Sequence, residues 1–165
     1  MSTIESIRKK IHTQESFTRP LETLRYFANK IVFTNGCFDL LHPGHVDYLA
    51  KAKDFGDFLV VGLNSDASVR SLNKGETRPL QDQDSRSLIL ASLVCVDAVI
   101  LFNEETPYEL IKFIQPDVLV KGADYRVEQI AGHDIVLTKG GEVMLIDLVP
   151  GHSTSAIERK IRGEK

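Results

Sequence analysis

The sequence predicts an α/β fold: one domain built on a parallel sheet with helices on both faces. Three observations predict it. Short runs of β-branched and aromatic residues alternate with segments of helical periodicity along most of the chain. Several of these runs are apolar at consecutive positions, as strands covered on both faces must be. The chain has 165 residues, 42% of them apolar, which suffices for one sizeable core and not for two.

Ile4, Ile7 and Ile11, then Leu21, Leu24 and Phe27, fall at helical spacing with Pro20 between them. Residues 1–29 are therefore expected as one or two short helices forming an arm, and 30–165 as the main domain. Ile31-Val32-Phe33-Thr34 reads as the first strand, followed by the Asn35-Gly36 break and a helix over 44–55. Residues 58–63 read as a strand, 67–72 as a short helix, and 85–95 as a longer helix capped by Asp82 or Asp84. A strand is expected at 99–102, a helix at 107–114 with Pro107 in its first turn, and a strand at 118–120. A last strand at 143–148 and a closing helix from Ser155 complete the order. The arrangement is Rossmann-like, and ligands of such sheets lie beyond the carboxyl ends of the strands. There is no internal repeat and no low-complexity tract.

Lys and Arg number 20 against 23 Asp and Glu, a formal charge of −3, so the chain offers no overall attraction to nucleic acid or an anionic membrane. Any anionic substrate must be held locally. The first residues lack the apolar run of a signal peptide and no stretch reaches the length of a membrane span, so a cytoplasmic location is expected. Cys37 and Cys95 lack metal-ligand spacing and are expected as reduced thiols; no protein metal site is expected.

The chemistry concentrates where the first strand gives way to its helix. His42-Pro43-Gly44-His45 puts two imidazoles about one turn apart at a helix N-terminus, where unpaired N–H groups and the helix dipole attract an anion. Gly44 lets backbone approach closely, and two imidazoles can donate to oxygens that gain charge during phosphoryl transfer. Taken alone, two histidines at this spacing are more often unrelated surface residues. The strand and the Gly-Cys-Phe-Asp loop before them favour a site. Gly151-His152-Ser153-Thr154-Ser155 gathers hydroxyls and amides at the start of a second helix, which reads either as a second anion site or as a plain N-cap.

Asn35-Gly36-Cys37-Phe38-Asp39 followed by His42-Pro43-Gly44-His45 resembles the signature of the cytidylyltransferase-like superfamily of nucleotidyltransferases, and the resemblance runs from about residue 30 to residue 162. Within it, Val61-Gly62-Leu63-Asn64-Ser65-Asp66, Lys74-Gly75-Glu76-Thr77-Arg78-Pro79, Val120-Lys121-Gly122-Ala123-Asp124-Tyr125 and the Gly151 segment are similar to the adenylyltransferase half of the heptose kinase/adenylyltransferase proteins. No kinase half is read within these 165 residues. The resemblance thus implies a stand-alone enzyme that transfers AMP from ATP to D-glycero-β-D-manno-heptose 1-phosphate, making ADP-heptose for lipopolysaccharide.

By the same resemblance, His42, His45 and Arg86 stabilise the reacting phosphates, while Thr34, Asn35, Gly36, Cys37, Phe38 and Gly44 cradle the nucleotide. Lys121, Gly122, Asp124 and the hydroxyls of Ser153, Thr154 and Ser155 complete the nucleotide site. Asp39, Asp66, Lys74, Arg78 and Tyr125 are expected to hold substrate. Asp39 reads equally as a turn cap. An isolated Arg86 would otherwise snorkel to the surface, and Lys74 and Arg78 would otherwise be solvated. Lys53 matches a family lysine beyond the histidines, with Lys51 competing for the role. The implied reaction is an in-line attack by the sugar phosphate on the α-phosphorus, needing no general base, with Mg²⁺ carried by ATP rather than by a protein cage. The resemblance also admits a homodimer with the arm on a neighbour. A glycerol-3-phosphate cytidylyltransferase is the nearest rival, but its Arg-Thr-Glu-Gly lead is replaced here by Leu148-Val149-Pro150-Gly151. A nucleotide-sensing module without catalysis is the other alternative.

Overall fold

Neighbouring residues of a strand point to opposite faces of its sheet, so a strand that is apolar at successive positions supplies two cores at once. Val32 and Phe33, Val60 and Val61, Val99 and Ile100, and Leu119 and Val120 are all fully buried pairs of this kind. In a computed structural model, which describes residues 1–72 and 78–163, these pairs divide cleanly between two apolar clusters.

The elements in order are α1 (Thr3–Arg8), β1 (Ile11–His12), α2 (Gln14–Tyr26), β2 (Ile31–Gly36), α3 (Pro43–Lys53), β3 (Phe58–Asn64), α4 (Asp66–Ser71) and α5 (Gln83–Ser92). There follow β4 (Ala98–Phe102), α6 (Tyr108–Ile114), β5 (Val118–Gly122), a 3₁₀ turn at Val127–Gln129, α7 (His133–Thr138), β6 (Glu142–Ile146) and α8 (Thr154–Ile161). The six strands form one sheet in the order β1-β4-β3-β2-β5-β6, and every pairing is parallel. One face packs on α3 and α5 through Tyr48, Leu49, Ala52, Leu90 and Ala91. The other packs on α2, α6 and α7 through Phe17, Leu21, Leu110, Ile111, Ile114 and Val136. This is the Rossmann-like sheet expected from the sequence.

The strand order also sets where a ligand can sit. The chain runs outward from β2 through β3 to β4, then crosses back to place β5 on the other side of β2. The order reverses between β2 and β5, which opens a crevice beyond their carboxyl ends.

Residues 1–29, expected as a helical arm, are woven into this sheet. Ile11, assigned to a helix by its spacing, lies instead in β1 and pairs with Val99. Phe17 and Leu21 are 0% and 3% exposed. Pro20 does not interrupt the second helix, because α2 runs through it. A mid-helix proline costs about 3 kcal/mol, whereas burying a Phe and a Leu contributes roughly 1.5–3 kcal/mol each. Packing therefore outweighs the local break. Asp82 is the cap of α5, accepting from the Ser85 amide at 2.7 Å. The closing helix starts one residue earlier than expected, with Ser153 as its N-cap. The segment between β5 and β6, for which the sequence suggested no element, contains the 3₁₀ turn and α7.

Candidate active site

The β2–α3 loop is shaped by two backbone demands. Phe38 adopts a left-handed conformation, φ 45°, yet is 7% exposed. Its ring covers Gly36, where an added Cβ would lie 3.0 Å from the ring edge, so a side chain at 36 would crowd the loop. The loop delivers His42 to the N-cap of α3, with Pro43 at the first helical position and no side chain capping the end. That leaves a helix N-terminus without a side-chain cap, facing the crevice.

From this end His42 and His45 project together. Their rings stack with centroids 3.8 Å apart and planes inclined by 20°. Phe38 meets His45 edge-on at 5.1 Å. The Nδ1 atoms of both imidazoles, and Oδ1 of Asn35, are buried without a partner among the described residues. An unpaired buried polar atom costs about 1–3 kcal/mol, so the three concentrate unmet hydrogen-bonding capacity in the wall of the crevice. Burial pushes the His45 imidazole down to about 4; the neighbouring His42 charge adds to this, and a Leu40 backbone contact opposes it. His42 is lowered by burial and then by His152.

The crevice is a cavity of about 540 Å³, within the size range of small-ligand sites. Asn35, Gly36, Cys37, Phe38, His42, Gly44 and His45 line one wall, and Lys121, Gly122, Asp124 and Tyr125 another. The bare Gly122 leaves room for the Asp124 carboxylate, which stands 2.5 Å from where a Cβ would lie. Lys121 donates to the Asn35 carbonyl at 3.4 Å, and its Nζ lies 5.6 Å from the centre of the Tyr125 ring. Ser153 and Thr154 also face the cavity. The Ser153 oxygen accepts from the Ala156 amide at 3.1 Å and so caps α8; its own hydrogen remains available to a ligand.

Other expected site residues are elsewhere. Thr34 is fully buried and shares a 2.8 Å hydrogen bond with the Tyr48 hydroxyl, behind the cavity wall. Asp39, expected to hold substrate, is 2% exposed and accepts from the Leu80 and Gln81 amides at 2.9–3.0 Å. It pins the segment before α5, which is the turn-cap reading. Arg86, expected to reach phosphate, is 1% exposed and donates to the carbonyls of Gln81, Cys37 and Asn64 and to the Asp66 carboxylate. Arg86 therefore braces the ends of β2 and β3 from below, and Asp66 is its partner rather than a cavity residue. Arg78 is paired with Glu158 of α8 at 2.8 Å. Ser155 does not line the cavity. Lys53 binds Asp97 and the Asp57 carbonyl, and Lys51 binds Asp47. Lys74 lies outside the described residues.

Sequence reading missed Tyr48, Asn64, the Glu105-Thr106-Pro107 turn, the 129–131 segment, Leu148, Val149 and His152, all of which line the cavity. Asn64 ends β3, and a polar residue closing an apolar strand was a usable signal. The 129–131 segment carries no such mark, because it reaches the cavity only through tertiary packing.

A parallel sheet with its crevice at the reversal of strand order, a His-x-x-His helix N-terminus and a facing hydroxyl-capped helix define a nucleotidyltransferase of the Rossmann-like class. The chain belongs to the cytidylyltransferase-like family, whose sequence profile matches residues 33–159. Among curated relatives it is 54% identical over 156 residues to the bifunctional protein HldE of Wolinella succinogenes, covering 94% of this chain and 32% of that protein. It is 55% identical over 152 residues to the HldE of Syntrophotalea carbinolica, covering 92% of this chain and 31% of that protein. The chain thus spans about a third of the length of these relatives. Among solved structures it resembles the lipopolysaccharide core biosynthesis protein of Thermoplasma volcanium, with a TM-score of 0.59 and 28% identity over 73% of this chain and 97% of that one. A pantoate-beta-alanine ligase from Francisella tularensis shares the fold alone, with a TM-score of 0.60 and 17% identity, over 92% of this chain and 76% of that one. No helix among the described residues is long and apolar enough to cross a membrane.

Proposed function

We propose that this chain transfers AMP from MgATP to D-glycero-β-D-manno-heptose 1-phosphate, releasing pyrophosphate and ADP-heptose for the lipopolysaccharide core. The observation that carries the chemistry is the stacked His42–His45 pair at the uncapped start of α3, opposite Ser153 and Thr154. The choice of substrate is supported by similarity to the HldE proteins and to the Thermoplasma lipopolysaccharide core biosynthesis protein. The sugar phosphate oxygen attacks the α-phosphorus while the bond to the β-phosphate oxygen breaks, and that electron pair leaves with pyrophosphate. A phosphate dianion is already nucleophilic, so the protein's work is alignment and charge stabilisation. His42 and His45 donate to phosphate oxygens, and the α3 amides and dipole add to that stabilisation. Asn35, Lys121, Gly122, Asp124 and Tyr125 hold the nucleotide and sugar. The reading extends to a cytoplasmic enzyme acting as a homodimer; sedimentation would test the dimer.

The deciding experiment is pyrophosphate release measured for ATP and CTP against a panel of sugar 1-phosphates and glycerol 3-phosphate. ATP with heptose 1-phosphate should give the highest kcat/KM. A clear preference for CTP with glycerol 3-phosphate would move the chain to the rival activity, and binding without turnover on any pair would leave a sensing module.

A further inference from the structure

His152 enters no role assigned so far, yet it stands in the same cavity as the two motif histidines. Its ring is nearly parallel to that of His42, inclined by 20°, with centroids 6.5 Å apart. The arrangement depends on Gly44. A Cβ at Gly44 would meet the His42 ring at 3.1 Å and the His152 Cβ at 3.3 Å, so the bare glycine is what lets the start of α8 approach the start of α3. His152 immediately precedes Ser153, the N-cap of α8, is exposed to the cavity, and makes no hydrogen bond among the described residues. Two helix N-termini and three imidazoles therefore converge on one volume.

We propose that His152 is a third imidazole ligand for the β- and γ-phosphates, completing with His42 and Ser153 a subsite for the pyrophosphate leaving group. The inference rests on the nucleotidyl-transfer reading above and adds a specific residue to it. With its ring centroid 6.5 Å from that of His42, His152 is near enough for a single polyphosphate to touch both rings. An imidazole there donates to an anionic oxygen, a charge-assisted bond. The electrostatic influence of His152 on His42, which disfavours a second positive charge, points the same way: an anion held by both relieves that repulsion. The competing role for a histidine in this position is stacking on the purine, which would act on the nucleoside rather than on the phosphates.

Binding of pyrophosphate, ATP and AMP to the full chain, measured by calorimetry, separates the two roles. His152→Ala should weaken pyrophosphate and ATP by about tenfold, the loss expected for one hydrogen bond to a charged oxygen. AMP should change by less than about twofold, and the melting temperature should hold because His152 makes no hydrogen bond among the described residues. His152→Lys, which restores a cationic donor, should recover most of the pyrophosphate affinity. Equal weakening of ATP and AMP would assign His152 to the base and overturn the proposal, as would unchanged pyrophosphate binding. Turnover is scored separately. Selective loss of pyrophosphate binding with no nucleotide-sugar formed by wild type would sustain the subsite and reject the reaction, whereas wild-type turnover with pyrophosphate binding unaffected in His152→Ala rejects the subsite alone.

Discussion

Arg86 makes four hydrogen bonds to protein acceptors, three of them carbonyls, two of which belong to the cavity-lining Cys37 and Asn64. Its removal should be felt first as instability. Arg86→Ala leaves buried carbonyls and the Asp66 carboxylate unpaired, and should cost on the order of 3 kcal/mol or more, read as a lowered melting temperature. Arg86→Lys should not rescue it, because an ammonium cannot reach acceptors arranged for a planar fork. A stable Arg86→Ala protein with impaired ATP turnover would instead return the residue to the phosphates. The two motif histidines should behave in the opposite way: His42→Ala or His45→Ala keeps the fold and loses on the order of 10²–10³ in kcat. Both imidazoles are held toward the neutral form in the free protein, His45 strongly so. Bound polyphosphate favours their protonation, so ATP binding near pH 6 should take up protons, detected as a heat that varies with buffer ionisation enthalpy. Buffer-independent heat would remove the histidines from the polyphosphate.

At the scale of elements, the cavity is made by two helix starts whose caps differ. The start of α3 has no side-chain cap, whereas α8 is closed by Ser153. Thr154 lines the cavity without taking part in the cap. This separates two effects that a double substitution would mix. Thr154→Val should weaken ATP by several-fold up to about tenfold and leave AMP and the melting temperature nearly unchanged. Ser153→Ala should weaken ATP and also destabilise α8 by about 1 kcal/mol. Thermal unfolding beside nucleotide titration reads both, and equal behaviour of the two variants would count against a phosphate role for Thr154. Gly44→Ala tests the approach of the helices themselves. The added methyl has neighbours at 3.1–3.3 Å in His42 and His152, so the rings must shift by tenths of an ångström. Turnover should fall by tenfold or more with little loss of stability, since displaced charge-stabilising donors act through alignment.

For the whole molecule, the first 29 residues supply strand β1 and the buried side chains Phe17 and Leu21. A fragment of residues 30–165 should therefore lose cooperative unfolding, because the face of the sheet around Ala98 and Ile100 would be stripped of its cover. Cooperative melting of that fragment near the wild-type temperature would restore the picture of an arm separate from the main domain. Acid stability follows from the histidines. An unfolded chain protonates its imidazole near pH 6.5 and folded His45 only near 4, so between these values the unfolded state binds more protons. Stability is then fully present above pH 6.5 and lost as pH falls toward 4. The loss is on the order of 1 kcal/mol once solvent screening is allowed for, checked by denaturant titration at several pH values. His45→Gln should flatten that dependence.

By itself the sequence determined the class of fold and the centre of the site. Consecutive apolar residues in β2, β3, β4 and β5 carry their own demand for helices on both faces, and the His42-Pro43-Gly44-His45 segment carries its own helix start, so both are legible from local order. What the tertiary structure alone decided is which polar groups remain for a ligand. Asp39, Asp66 and Arg86 are site residues by family resemblance, but folding brings Leu80, Gln81, Cys37 and Asn64 against them, and a buried charge takes whatever partners lie within reach. His152 and Asn35 are left facing the cavity because, among the described residues, no hydrogen-bond partner arrives for the His152 ring or the Asn35 Oδ1. Pro20 and Ile11 follow the same physics: burial against the sheet is a sum over distant neighbours, and it overrides the local preferences by which a sequence is read.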